Sequence, residues 1–308
     1  MAMITHASLS LRSVGHTLDM SPEAWGTLTP TDNTTSGDGL RRTMEEQGYL
    51  YVPGLADRDE VIAARHAILR RLHKEGSLHP DHSWEEAVAH PEVPLTFKPD
   101  LAVANPELEH VLYADGGPVM TFFERFLDHA VLHFDFTWLR AMSPGNGTCP
   151  HCDIVYMGRG THNLYTMWLP LGDVTYDIGG LMILEDSHLK RDRIAQYLEI
   201  DVDSFCSNRP ESVEKANQGH MLHSGILTNN PVSLREKLGG RWLSAEYRMG
   251  DALIFPMHTI HASVDNQSDR VRISSDSRYQ RADEPADERW VGPNPVAHSK
   301  AGKRGRIC

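Results

Sequence analysis

The tetrapeptide Pro150-His151-Cys152-Asp153 is where this sequence comes closest to chemistry. In an extended chain, residues two apart point to one face, so His151 and Asp153 would reach a single ion while Cys152 points away. A third ligand is expected from a distant strand. His261, in Met257-His-Thr-Ile-His-Ala-Ser263 just after an apolar run at 252–255, is the best-placed candidate. Two neutral imidazoles and one carboxylate on one side of an octahedral ion leave three positions open, the arrangement with which non-haem iron(II) sites take up 2-oxoglutarate and O₂. With 18 histidines and 42 acidic residues in the chain, His-x-Asp also arises by chance, so the weight falls on what lies downstream. Ser263 follows His261 by two residues and Arg272 by eleven, the latter inside a β-like run, Val271-Arg-Ile-Ser274. An arginine pointing into a barrel is costly to bury without an anion. The distal carboxylate of 2-oxoglutarate is such an anion, held by the guanidinium fork with a hydroxyl from Ser263 or Ser274. An internal Asp or Glu would satisfy the arginine too, and that alternative stays open.

Three other chemistries compete for the same residues. Cys149-Pro-His-Cys152 has the spacing of a thiol–disulfide oxidoreductase, which needs its first cysteine at a helix N-terminus. The residues that follow, Asp153-Ile-Val-Tyr-Met157, read as a strand, and no βαβ pattern precedes them. A zinc hydrolase also accepts two histidines and a carboxylate but has no use for Arg272 with Ser263. A non-catalytic jelly-roll that binds a metal or small ligand is the third. His258 lacks the downstream Ser and Arg spacing of His261; His188 reads as structural, and His162, His220 and His223 as surface residues.

The elements that must position these groups fall into two stretches. Residues 1–37 are Ser/Thr/Gly-rich and read as a loose N-terminal segment. A single oxygenase domain is expected over 38–308. It opens with a short helix over 40–47 that stops at Gly48, a strand at 49–52, and a helix capped by Asp57 that stops at Gly76. Prolines break the pattern between 77 and 115, and a Phe-rich helix follows from Pro118 to about His129. From Val131 the texture turns to short β runs, at 131–136, 154–157, 165–171, 181–184, 252–255 and 271–274, separated by Gly, Pro, Asn and Asp. Such punctuation predicts a sandwich or small barrel, mainly β with flanking helices. A polar, partly helical insertion at about 189–246 interrupts it.

These blocks resemble the phytanoyl-CoA dioxygenase family of iron(II) and 2-oxoglutarate-dependent oxygenases. The likeness rests on Trp168-Leu-Pro-Leu-Gly-Asp173, Gly179-Gly-Leu181, Glu185-Asp-Ser-His188, and the closing block of Gly250-Asp-Ala-Leu-Ile-Phe255, His261-Ala-Ser263, Asn266-Gln-Ser268, Arg270 and Arg272. It extends back to Gln47-Gly-Tyr-Leu-Tyr-Val-Pro-Gly54 and spans roughly 38–280. The resemblance implies a double-stranded β-helix, or cupin-like jelly-roll, with Trp168 walling the 2-oxoglutarate pocket. It also implies a dioxygenase acting as a hydroxylase with Fe(II), 2-oxoglutarate and O₂, and with ascorbate as a reductant. Glu185-Asp186 replaces the family's commoner Pro-Gly, Cys152 a commoner Gln, and the insertion is long. Related halogenases carry a small residue where Asp153 stands, so hydroxylation is expected here.

Composition narrows the partners. A net charge of −12 argues against broad nucleic-acid binding, and no apolar run approaches the ~20 residues that span a bilayer. Only Lys300-Ala-Gly-Lys-Arg-Gly-Arg306 is locally basic, and it reads as a solvated end. Four cysteines do not make a disulfide scaffold, and the first twenty residues lack an export signal, which together predict a cytoplasmic protein. The expected partner is a small-molecule substrate. Arginines 191, 193, 209, 241 and 248 in and beside the insertion are candidates to contact an anionic one. The sequence sets no oligomeric state.

Overall fold

The computed structural model describes residues 10–145, 147–206, 210–218 and 223–306. Its larger sheet runs in the order Leu50–Val52, Ala252–Pro256, Tyr165–Pro170, Arg272–Arg281. The far edge of that last strand is shared: residues 272–276 pair with Trp138–Met142 and residues 279–281 with Val131–His133. The smaller sheet runs His261–Ser263, Leu181–Leu184, Trp242–Ser244, Trp25–Thr27. Within these two sheets only Trp242–Ser244 with Trp25–Thr27 is parallel. Two facing antiparallel sheets with long crossings between them make a jelly-roll, as expected.

Side-chain alternation decides what each sheet face does. On Tyr165–Pro170, Met167 and Leu169 join the core under the helices, and Trp168 packs between the sheets with Leu181, Ile183, Leu253 and Phe255. On Arg272–Arg281, Ile273 and Tyr279 face the helices, so Arg272, Ser274, Asp276 and Arg278 face inward, all buried. Helices Gly37–Gln47, Arg58–Lys74, Pro106–Tyr113 and Pro118–Leu127 cover the larger sheet's outer face, through residues such as Val61, Ile68, Phe122 and Phe123. The outer face of the smaller sheet, with Met182 and Trp242, is covered by Ile194, Tyr197 and Leu234 from the insertion and by Leu11 and Leu18.

The helical layer starts and stops at its local capping signals. The Asp57 carboxylate accepts from the Asp59 and Glu60 amides, and Gly48 ends the first helix at φ 72°. That glycine also touches His188, whose Nε2 donates to the Glu45 carbonyl, so the histidine clamps helix to barrel. A Cβ on Gly48 would run into the His188 ring. Gly48→Ala should therefore cost about 2–4 kcal/mol, strain at positive φ plus the collision, read as a lower urea midpoint with unchanged slope.

Four expectations differ from the structure. Residues 154–157 form a helical turn, Ile154–Met157. The N-terminal stretch is packed from about Leu11: Val14 and Gly15 amides donate to the Asp265 carboxylate, and Trp25–Thr27 is a sheet strand. The insertion ends earlier, because Trp242–Ser244 lies within the smaller sheet. The basic segment is docked, with Lys303 on Asp203 and Arg304–Arg306 pairing in parallel with Ser204–Cys206.

Candidate metal centre

His151 and His261 face each other across a two-residue antiparallel bridge, each amide donating to the other's carbonyl at 3.0 Å. The chain then leaves the sheet, and the Asp153 carbonyl accepts from the Tyr156 and Met157 amides to start the helical turn. A bridge followed by a turn, rather than strand alternation, aims the carboxylate back at the imidazoles. Cys152 still points away, as expected, donating to the His258 carbonyl at 3.4 Å.

The ring tautomers follow from carbonyl partners. His151 Nδ1 donates to the Cys149 carbonyl at 2.8 Å and His261 Nδ1 to the Thr259 carbonyl at 3.0 Å, which leaves both Nε2 lone pairs free. Each Nε2 lies 3.8 Å from Asp153 Oδ1. Burial, then the neighbouring His261, pulls the His151 pKa down to about 3, and burial lowers His261 as well, so both rings are neutral. Burial alone would raise the Asp153 carboxyl, but Arg278, then His261, His151 and Thr166, hold it well below the usual range. Neutral imidazoles and an ionised carboxylate are the protonation states a divalent ion requires. Among the described residues this is the only such convergence of three donors.

Asp153 Oδ2 is held by two groups the sequence reading missed. Thr166 Oγ1 donates to it, and Arg278 Nη2 donates at 3.0 Å while the guanidinium lies 4.1 Å over Trp138. Both were legible by alternation: Thr166 is two residues before Trp168, and Arg278 is six residues after Arg272 on the same strand face. Thr166→Val should weaken iron(II) binding about tenfold in a chelator competition, with the fold unchanged by circular dichroism.

Arg272 is buried, with burial and then the Arg140 charge drawing its pKa down to about 10. Its Nη1 donates to the Gly179 carbonyl, and Gly179 sits at φ 84° where a Cβ would strike the Val264 carbonyl. The Gly-Gly turn thus permits this close approach. Arg272 Nε and Ser274 Oγ are buried without a hydrogen-bond partner. Ser263 Oγ accepts from the Thr148 amide at 2.7 Å, leaving its own O–H to donate. Trp168 lies between the sheets, its ring 4.7 Å from Tyr247, and Phe255 beside it lies 4.5 Å from the His261 ring. Orphaned donors on an inward-facing arginine and serine fit a dicarboxylate co-substrate.

A cavity of about 370 Å³ opens onto His151 and Asp153, walled by Trp138, Met157, Arg140 and Arg278. Ser224 and Ile226 of the insertion close one side, and His298 another. His298 Nδ1 donates to Asp203 at 2.8 Å, and the same carboxylate receives Arg289 at 2.6 Å. The docked Arg304–Arg306 strand therefore fixes one wall of the cavity.

The alternatives find less support. Cys149 and Cys152 are free thiols, and burial pushes both pKa values up, the reverse of what thiol exchange needs. A helical turn does follow, at Ile154–Met157, but Cys149 lies five residues before its start and gains no stabilisation from it. His258 stacks edge-on to His162 and is outside the ligand cluster. Of the insertion's arginines, Arg193 caps carbonyls of Lys237 and Leu238, Arg191 binds the His188 carbonyl and Arg241 pairs with Glu185. Neither these three nor Arg248 is among the cavity's lining residues; Arg209 and His220 lie outside the described residues.

A jelly-roll holding two histidines and an aspartate around one point is the scaffold of non-haem iron oxygenases. The chain belongs to the phytanoyl-CoA dioxygenase family, whose model matches residues 44–274. It is 25% identical over 280 residues to the 1-deoxypentalenic acid 11-beta-hydroxylase of Streptomyces exfoliatus, covering 86% of this chain and 89% of that protein. Its fold is similar to the non-heme alpha-ketoglutarate-dependent carbocyclase SnoK from nogalamycin biosynthesis, at TM-score 0.57, 21% identity, and 84% and 90% coverage of the two chains. It is also similar to EctD from S. alaskensis, solved with 2-oxoglutarate and 5-hydroxyectoine, at TM-score 0.55, 14% identity, and 94% coverage of each. The chain is an iron(II) and 2-oxoglutarate-dependent dioxygenase. No helix among the described residues is long and apolar enough to cross a membrane.

Proposed function

We propose that this dioxygenase hydroxylates an unactivated C–H bond of a small-molecule metabolite or natural-product intermediate. The observation that carries the reading is the carboxylate of Asp153, locked by Thr166 and Arg278 with its free oxygen toward both Nε2 atoms. A site that keeps this third protein ligand leaves no place for a halide beside the ion, which favours hydroxylation over halogen transfer. The relative from Streptomyces is named as a hydroxylase, which supports the same outcome.

In this reading His151, Asp153 and His261 hold iron(II), and Arg272, with the hydroxyls of Ser274 and Ser263, grips the distal carboxylate of 2-oxoglutarate. The bound iron supplies the O₂ chemistry that couples decarboxylation of the co-substrate to succinate with oxidation of the substrate. The chain's own share is spatial and electrostatic. Nδ1 bonds fix both imidazoles, Arg278 and Thr166 fix the carboxylate, and Trp168, Tyr247 and Phe255 keep water from the co-substrate side. Trp138, Met157 and Ile226 offer the substrate an apolar wall.

Purified protein given iron(II), ascorbate and 2-oxoglutarate should release succinate slowly without substrate, and faster with one, with ¹⁸O from O₂ entering the product alcohol. No 2-oxoglutarate turnover with any candidate substrate would end the reading.

A further inference from the structure

Arg140 is a cation facing the cavity that neither the metal ligands nor the co-substrate anchor uses. It lies on Trp138–Met142, paired in register with Ser274, and its guanidinium lines the cavity beside His151 and Asp153. Only Nε is committed, to Asp276 Oδ2 at 3.1 Å; among the described residues its two Nη groups have no hydrogen-bond partner. Phe97 flanks the guanidinium, its ring centroid 5.7 Å from Arg140 Cζ. A planar fork with two free faces of N–H, three-quarters withdrawn from water, is built for a carboxylate.

The charges lining the cavity and those paired or stacked directly behind them support the same conclusion. Three guanidiniums, Arg140, Arg272 and Arg278, stand against two carboxylates, Asp153 and Asp276. That leaves one positive charge in excess. A divalent ion adds two, and the dianionic co-substrate removes two. The excess falls on Arg140, three-quarters withdrawn from water and committed only through Nε, whose two Nη groups stay open to an anion. A singly charged substrate completes the count.

We propose that Arg140 anchors the carboxylate of the substrate, which is therefore a monoanionic acid with an apolar body lying against Trp138, Met142, Met157 and Ile226. This rests on the cavity being the substrate site of the oxygenase. Arg140 sets which molecule is held and which carbon is presented; it takes no part in the oxidation.

The test is calorimetry under argon on the full chain loaded with iron(II) and 2-oxoglutarate. The probes are cyclohexanecarboxylate, 1-adamantanecarboxylate and decanoate, each against its carboxamide, which keeps the shape and removes the charge. At least one acid should bind about tenfold or more tighter than its amide. Arg140→Gln should erase that preference. Because this change strands Asp276, the double variant Arg140→Gln/Asp276→Asn, in which both charges are gone, should erase it too. Asp276→Asn alone frees the guanidinium and should strengthen it. The inference is overturned if no acid outbinds its amide, or if the preference survives both Arg140 variants. It is equally overturned if those variants lose 2-oxoglutarate affinity, since Arg140 would then belong to the co-substrate. Should 2-oxoglutarate fail to bind the wild-type protein at all, the underlying oxygenase reading falls instead.

Discussion

Asp153→Ala is expected to give a protein that folds less stably, binds iron(II) more than about 100-fold more weakly and makes no succinate. Two effects combine in that result. The ion loses its only anionic protein ligand, and Arg278, buried with Nη2 on that carboxylate, loses its counter-charge. Stranding a buried charge costs about 3–5 kcal/mol, so the metal-free variant should unfold well below the metal-free wild type. The second variant separates the two. Asp153→Ala/Arg278→Met removes the stranded charge and should regain much of the stability while regaining no metal. Thermal unfolding with and without iron(II) reads both effects, because an ion that binds only the folded chain raises the midpoint. An iron-dependent rise that persisted in Asp153→Ala would show that the ion is held elsewhere.

Arg272→Ala should act on the co-substrate with little effect on the metal. Losing one partner of a buried, charge-assisted pair costs about 2–4 kcal/mol, so the KM for 2-oxoglutarate should rise roughly 30- to 1,000-fold. Truncation alone does not distinguish a carboxylate grip from general damage. Co-substrate choice does. The wild type should strongly prefer 2-oxoglutarate to 2-oxopentanoate, which lacks the distal carboxylate, and Arg272→Ala should lose that preference. A variant that weakened both keto acids equally would place Arg272 in a structural role, consistent with its bond to the Gly179 carbonyl.

The sequence made the three candidate ligands legible because residue types with metal chemistry are rare in combination, and Ser263 and Arg272 gave the pair of histidines a context. The helical layer was legible for a different reason: Asp57, Gly48 and Gly76 mark ends by local hydrogen bonding that tertiary packing does not override. Pro106–Tyr113 was not legible although Asn105 caps it and Pro106 stands at its first turn, since the neighbouring prolines carry the opposite, helix-breaking signal.

The long strand Arg272–Arg281 shows why the rest was hidden. Only its first residues carry an apolar alternation; the inward positions are Arg, Ser, Asp and Arg because they face the reaction space rather than a core. A polar strand that is buried reads as a loop. The same cause concealed Trp138–Met142, where Arg140 interrupts the apolar run. Ile154–Met157 was misjudged for the opposite reason, β-branched residues being driven into a helical turn by the need to aim Asp153 at the histidines.

The pairing of Arg304–Arg306 with Ser204–Cys206, and the Asp203 cluster beneath it, make this last segment a separable part of the cavity wall. His298 lines the cavity from a segment that supplies none of the three side chains of the candidate metal cluster. Substitutions there that spare the Asp203 cluster would reshape the cavity wall while leaving His151, Asp153 and His261 in place. Exchanging His298 alone is thus a short route to altered selectivity that leaves the metal cluster untouched.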